Sequence, residues 1–554
     1  VGRYLFAEVT PVSQRRPYQG TAVLSAGMQV SASNHAPKAE QLSLSGCQMA
    51  GERLNLSYSY FDEDGDVEKN STYAWYLSDS ENGEYELITS AVERSLPLLA
   101  EYDQQYIKAS VTPKDAFGSA GEVVFSQPVQ LKLRRYDEIH LSPDGDDTTG
   151  TGSMEAPFRT LEKARDMIRQ WKEEGSVSSK GVTVLLHEGE YFLKNSFTLT
   201  EEDSGTVTAP ILYQPYGNDK VRINGGRVLD VSRFTPISGE MKNRLRDPAA
   251  RGKVLQAKLS DLGISQYEGI GIKHQAARYT LTAPLFELDG KKMALSRWPN
   301  SDSIGDWPKA HRVSYQKTLS DPYFNESNNA KYFVTAQFNS NIPSAWSYRL
   351  DQVIFVGYWR YAWAAEYAYG TVDPVNKTFT SRTSIHYGDT ADVTNGREFR
   401  VFNVFEELDE PGEWYVDEDE EMMYFYPYED TTANSRMVKT EGDFDLIVVD
   451  GASYVTFRGL DVTGGRQSGI VIKSGSNNLV SDCDIHLIQN TAVKVSGTNN
   501  GVDSSRMYHI GERASHLGGG DSESITSGRN YVSNCVMHDY SMAKEVHSGG
   551  VYLE

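Results

Sequence analysis

Five of the eleven histidines, His486, His509, His516, His538 and His547, fall within about sixty residues, interleaved with Asp521, Asp539 and Glu554. Carboxyl groups and imidazoles at this density suit general acid–base work. Cleavage of a glycosidic bond takes two carboxyl groups, one to protonate the departing oxygen and one to act as nucleophile or to activate water. Asp521 follows Gly518, Gly519 and Gly520, a stretch of bare backbone that a ligand can approach. Glu554 ends the run Val551, Tyr552, Leu553, Glu554, an alternation that buries Val551 and Leu553 and turns Tyr552 and Glu554 outward. His538 and Asp539 follow Met537, an inward position, so at least one of the two points out. Each has a plainer reading: Asp521 caps its own glycine turn, Glu554 is a solvated edge residue, and His538 bonds to backbone. A zinc site from His509, His516 and Asp521 lacks the H-x-x-x-H or C-x-x-C spacing of such sites.

Acids from separate stretches meet only if the chain repeats over one surface. Four segments align on a small apolar residue with a second apolar residue five further on: Val455/Leu460, Val480/Ile485, Val502/Met507 and Val532/Met537. The first members stand 25, 22 and 30 residues apart, so each unit is one coil of a solenoid whose neighbours bury each other's apolar edges. Asp482, Ser504 and Asn534 come two residues after the first member and suit a tight bend. Cys483 and Cys535 then lie two coils apart, about 9.6 Å at the usual strand spacing, which is too far for a disulfide. They are expected as free packing thiols. The longest interval carries HIGERASHLGGGDSESITSGRN, and added residues in a solenoid appear as loops on one face.

Upstream the character differs. YLFAEVTP at Tyr4 to Pro11 matches YIKASVTP at Tyr106 to Pro113, 102 residues further on, as tandem β-sandwich domains would. The first copy lacks its front, so residues 1–33 are expected to be the C-terminal part of one Ig-like domain and 34–135 a second, complete one, in a chain belonging to something longer. Asp62, Asp64 and Asp66, with Gly65 between, place oxygens at alternate positions, a weak calcium signal without the bidentate Glu of an EF-hand. Residues 136–226 read as a strand, a Gly/Asp/Thr loop, a helix opening near Pro157 with one apolar stripe (Phe158, Leu161, Ala164, Ile168, Trp171), then further strands. Residues 227–440 are irregular, aromatic-rich and β-prone, an inserted module, with 441–554 the coils.

A hydrophobic content of 39% and a charged content of 23% fit a folded chain, and 33 Tyr with 8 Trp supply aromatic faces suited to sugars or peptides. The formal charge of −22 argues against nucleic acid, anionic membranes and polyanionic substrates. No apolar run reaches membrane-spanning length, and three cysteines make no disulfide framework.

The string SPDGDD…GSMEAPFRTLEKAR followed by VLLHEGEY resembles the opening of right-handed parallel β-helix proteins, in which the helix caps the first coil. ALSRWPN and FNVFEELDEPGEWYVD resemble strings inserted in a group of β-helix glycoside hydrolases that includes β-xylosidase and fucosidase or xylanase branches, and the front resembles bacterial Ig-like spacers. The resemblance implies an all-β, right-handed parallel β-helix with an N-terminal capping helix and an inserted β-sandwich-like module. It further implies an extracellular or cell-surface enzyme that hydrolyses a plant or microbial polysaccharide without a cofactor. The similar hydrolases carry a Gly-Gly-Asp loop and a later Gly-Ile-Tyr-Leu-acid strand, which makes Asp521 and Glu554 the catalytic pair here, with Asp539 a third candidate. Glu554 stands where those enzymes often have Asp, and Ser522 where they have Arg. His516, His538, His547, Trp363 and Tyr540 are the expected substrate-binding residues. Two other classes use such a scaffold: a polysaccharide lyase, with Lys494, Arg506 or Arg513 as base or countercharge, and a glycan-binding adhesin.

Overall fold

Short β-branched runs broken by glycine and asparagine produce a chain whose regular structure is mainly strand. The computed structural model describes residues 3–554 apart from 17–18, 30–33, 47, 49–51, 133–135, 266, 268, 276–277, 319–330, 340–342, 390, 395, 522, 545 and 547. It divides into two compact units, residues 1–136 with 170–178, and residues 137–169 with 179–554.

In the first unit, the strands Lys38–Ser45, Arg53–Phe61 and Ser95–Pro97 form one antiparallel sheet. A second antiparallel sheet is built on Tyr106–Thr112 and Thr72–Ser78. A core around the fully buried Trp75 takes side chains from both, with the indole N–H donating to the Glu93 carbonyl at 2.9 Å. The internal repeat extends to pairing register. Tyr4 opposes Gln29 and Val9 opposes Val23, as Tyr106 opposes Gln130 and Val111 opposes Val124.

The second unit is a three-faced parallel β-helix. Its first sheet stacks Glu138–Leu141, Val182–Leu186, Ile211–Pro215, Val455–Arg458, Leu479–Ser481, Gly501–Asp503 and Tyr531–Ser533. The second stacks Gly189–Phe192, Val221–Asn224, Asp461–Thr463, Asp484–Ile488, Arg506–Ile510 and Val536–Met537. The third stacks Phe197–Thr200, Ile447–Asp450, Ile470–Ile472, Val493–Val495, Ser515–Leu517 and Val551–Leu553. The helix starts at Leu161, later than Pro157 suggests, because Asp147 accepts from the Arg159 and Thr160 amides and the Thr160 hydroxyl takes the Lys163 N–H. Arg169 ties this helix to Asp203 of the first coil with two bonds of 2.7 Å.

The coil repeat is real, with one correction at its first member. Phe457, not Val455, opposes Val480, and Val462, not Leu460, opposes Ile485. Both pairs have the five-residue spacing. The register is set by the bend that follows, where Gly459, Asp482, Ser504 and Asn534 all take left-handed φ of 50–66°. Each of the first three donates its N–H to the next coil at 3.0–3.2 Å. Cys483 and Cys535 lie either side of Ser505 as free thiols, and burial pushes Cys483 up to about 12. Cys47 lies outside the described residues.

The insert leaves the helix after Asn224 and returns at Ile447, so it grows from the corner between second and third sheets. It holds two eight-stranded sheets, one built around Phe286–Leu288, Lys291–Leu295 and Glu413–Asp417, the other around Val353–Gly357, Glu366–Asp373 and Phe399–Phe402. Side chains of both meet in one core, including Phe286, Met293, Trp414, Ile354 and Phe402.

Candidate active site

Two corners of the last coils carry the candidate acids. At the corner between third and first sheets, Ser515–Leu517 and Val551–Leu553 run parallel with Leu517 opposite Leu553, and the Glu554 N–H donates to the Leu517 carbonyl at 2.9 Å. Glu554 is therefore aligned with Gly518, one coil on, and Asp521 follows three residues later. One strand spacing and three residues of chain bound the Asp521–Glu554 α-carbon separation at about 16 Å.

The glycines before Asp521 do structural work. Gly519 (φ 94°) ends a column with Gly475 (φ 90°) and Gly497 (φ 78°), and a Cβ on Gly519 would lie 2.5 Å from the Gly497 carbonyl oxygen. Gly520 (φ 88°) closes a two-residue ladder in which Asp521 opposes Thr526. Only Gly518 stands where a side chain meets ordinary contact. The backbone open to a ligand is thus shorter than the sequence suggests. Asp521 is exposed, and its Oδ1 accepts the Ser524 N–H at 2.6 Å and hydroxyl at 2.8 Å, bonds that hold the carboxyl below its ordinary range.

Glu554 projects outward, its Oε2 2.9 Å from His516 Nε2. His516 lies on the outer face of the third sheet in register with Lys494 before it and Tyr552 after it, and its ring meets Tyr552 edge-on. Burial, and then the Arg513 guanidinium, lower the His516 pKa and keep the imidazole neutral. The Arg513 guanidinium lies 4.2 Å from the centre of the Tyr552 ring.

The second corner holds Asp539 and Tyr540. With residues 541–543 and the insert they line a cavity of about 300 Å³ whose polar wall is Lys292, Arg297, Asp302 and Arg400. Asp539 Oδ2 lies 2.8 Å from His538 Nδ1, a bond that lowers the Asp539 pKa. The His538 ring stacks on Tyr508, which stacks on His486, with planes within 6°. This ladder runs along the outer face of the second sheet. Asp539 and Tyr540 therefore belong to one corner, Asp521, His516 and Glu554 to the other.

A buried network joins His486 and His509 of the histidine cluster to Glu287, Asp461 and Arg222, three residues with no role assigned from sequence. Glu287 Oε1, from the insert, meets His486 Nδ1 at 2.8 Å and His509 Nδ1 at 2.7 Å, and His486 Nε2 meets Asp461 at 2.9 Å. Asp461 also takes the Arg222 guanidinium at 2.7 Å. The signal was present in LFELDGKKMA, since a turn at Asp289-Gly290 sets Glu287 opposite Lys292 on one face of a hairpin.

Other expected residues lie apart. Trp363 is half exposed on the insert, stacked on Tyr361 at 5.2 Å and edge-on to Tyr387. His547 lies outside the described residues. Arg506 is committed to Asp484 by bonds of 2.6 and 2.5 Å. In the first unit, Asp62, Asp64 and Asp66 bring carboxylate oxygens within 4.8 Å of one another. Asp62 Oδ1 takes the Asp64 and Asp66 N–H groups, while its Oδ2 is buried and unbonded. That orphan oxygen fits a hard divalent cation.

No protein-family model matches the chain. The uncharacterised protein YwoF of Bacillus subtilis (strain 168) is 32% identical over 136 residues, 24% of this chain, and the chain spans a quarter of that relative's length. A solved structure of a protein described as a glycoside hydrolase superposes with a TM-score of 0.53 at 16% identity, covering 74% of each chain, which is a likeness of fold. A Yersinia enterocolitica family 28 exopolygalacturonase, 9% identical, covers 91% of this chain and 70% of its own, with a TM-score of 0.20, too low to bear on fold or activity.

Proposed function

We propose that this chain is a secreted or cell-surface glycoside hydrolase, with Asp521 and Glu554 as its carboxyl pair at the corner between third and first sheets. The observation that carries the proposal is the parallel pairing of Ser515–Leu517 with Val551–Leu553, which brings Glu554 beside the loop bearing Asp521. Asp521, held ionised by Ser524, suits the nucleophile or base, since it is exposed and needs no proton removed near neutral pH. Glu554 is then the second carboxyl of the pair, its Oε2 2.9 Å from His516 Nε2. Tyr552, backed by Arg513, presents an aromatic ring on the same face against which the apolar side of a sugar ring can lie. Trp363, half exposed on the insert, offers a separate aromatic face for sugar, and the front sandwich is a spacer of the Ig-like kind.

The test is release of reducing sugar from plant and microbial polysaccharides by the full-length protein. Asp521→Ala and Glu554→Gln should each lower the rate by about 100-fold or more. A rate unchanged by Asp521→Ala refutes the pair, and reducing ends that appear together with unsaturated uronates assign the scaffold to elimination chemistry.

A further inference from the structure

We propose that the cavity between the insert and the corner loop 539–543 binds an acidic sugar, with the sugar carboxylate on Lys292 and its hydroxyls on Asp539 and Tyr540. The charges lining the cavity are unequal: Lys292, Arg297 and Arg400 against Asp302 and Asp539. Asp302 accepts from Arg297 at 2.7 Å and Arg400 at 3.1 Å, and Asp539 is bonded to His538. The carboxylate in register with Lys292 across the hairpin is Glu287, but it turns to His486 and His509. Among the described residues Lys292 has no ion pair. Burial disfavours its charged form, so the protonated amine gains from an anionic partner that enters the cavity.

A volume of about 300 Å³ lies at the small end of ligand sites and suits a monosaccharide unit. Polar groups at several points of the wall, together with apolar Leu295 and Phe402, match a pyranose, which carries hydroxyl edges and apolar faces. The overall charge of −22 does not decide this, because within a partly buried site the nearest charges outweigh those beyond about 8 Å of salt solution. The inference rests on the hydrolase reading only for the choice of a sugar; the carboxylate recognition stands on the cavity itself.

Calorimetric titration of the full chain with D-galacturonate against D-galactose, and D-glucuronate against D-glucose, isolates the carboxylate. The uronates should bind about tenfold or more tightly than their neutral partners. Lys292→Met should remove that preference while Lys292→Arg retains most of it, with melting temperatures near wild type. Asp521→Ala, at the other corner, should bind uronate as the parent does, so loss of hydrolysis in that variant and loss of uronate binding in Lys292→Met are separate failures. Equal binding of acid and neutral sugars, no uronate binding at all, or an undiminished preference in folded Lys292→Met overturns the proposal. Should Lys292→Met not fold, the acid-against-neutral comparison on the parent decides alone.

Discussion

Glu287 and His486 stand 199 residues apart in the chain and meet at 2.8 Å where both are almost excluded from water. The contact joins the insert to the coils at the corner from which the insert grows. Burial alone raises Glu287, but bonds from His486 and His509 override it and bring it down to about 2. Burial lowers His486, yet Asp461 and Glu287 carry it up to about 9.

The sign of the pH dependence follows from these two shifts. The His486 contribution is full below its ordinary 6.5 and is lost as pH rises through about 9; the Glu287 contribution is present above its ordinary 4.5 and is lost as pH falls through about 2. Thermal unfolding should show its plateau near pH 4.5–6.5, with stability declining on both sides. Glu287→Ala takes the carboxylate from His509 and leaves His486 with Asp461 alone, and should cost about 3–5 kcal/mol, and Glu287→Gln should flatten the alkaline decline. A melting curve for Glu287→Gln that follows the parent across pH 6.5–9 would contradict the coupling.

Gly519 and Gly518 are neighbours with opposite expectations. Gly519→Ala puts a methyl 2.5 Å from the Gly497 carbonyl oxygen at φ 94° and should cost about 1–3 kcal/mol or more. Gly518→Ala meets only Ser496 Oγ at 3.4 Å and should cost under about 1 kcal/mol. Urea unfolding of the two variants side by side checks the order.

Asn478, Asn500 and Asn530 form a ladder in which each side-chain oxygen accepts a backbone N–H from the preceding coil at 2.8–3.0 Å. Asn500 also donates to the Ser496 and Gly475 carbonyls at 2.7 and 3.1 Å. Asn500→Ala strips partners from these buried groups and should cost about 2–4 kcal/mol, whereas Thr498→Ala, at an exposed position two residues away, should cost under about 1 kcal/mol. Equal losses in the two variants would remove the ladder from the account.

Millimolar calcium should raise the melting temperature of the first unit if Asp62, Asp64 and Asp66 take the ion, by supplying a partner for the orphan Asp62 Oδ2. Asp62→Asn should abolish the response while leaving the metal-free melting temperature within a few degrees. A calcium shift that persists in Asp62→Asn places the ion elsewhere.

The coils were legible because a solenoid repeats its chemistry. Val480, Val502 and Val532 are spaced like the turns they occupy, Asp482, Ser504 and Asn534 mark one bend, and the capping helix shows its apolar stripe locally. Even so, the first turn slipped by two residues, since Val455/Leu460 and Phe457/Val462 fit one spacing equally and only the left-handed bend at Gly459 chooses. Sequence also marked Asp521, Glu554 and Asp539 as displayed acids. It could not sort them by corner. That took strand register, which puts Glu554 beside Gly518 and sends Asp539 to a cavity closed by the insert. The network from Glu287 to Asp461 was least visible, because periodicity records which face a residue takes, while the partner that face meets is fixed by packing between segments some two hundred residues apart.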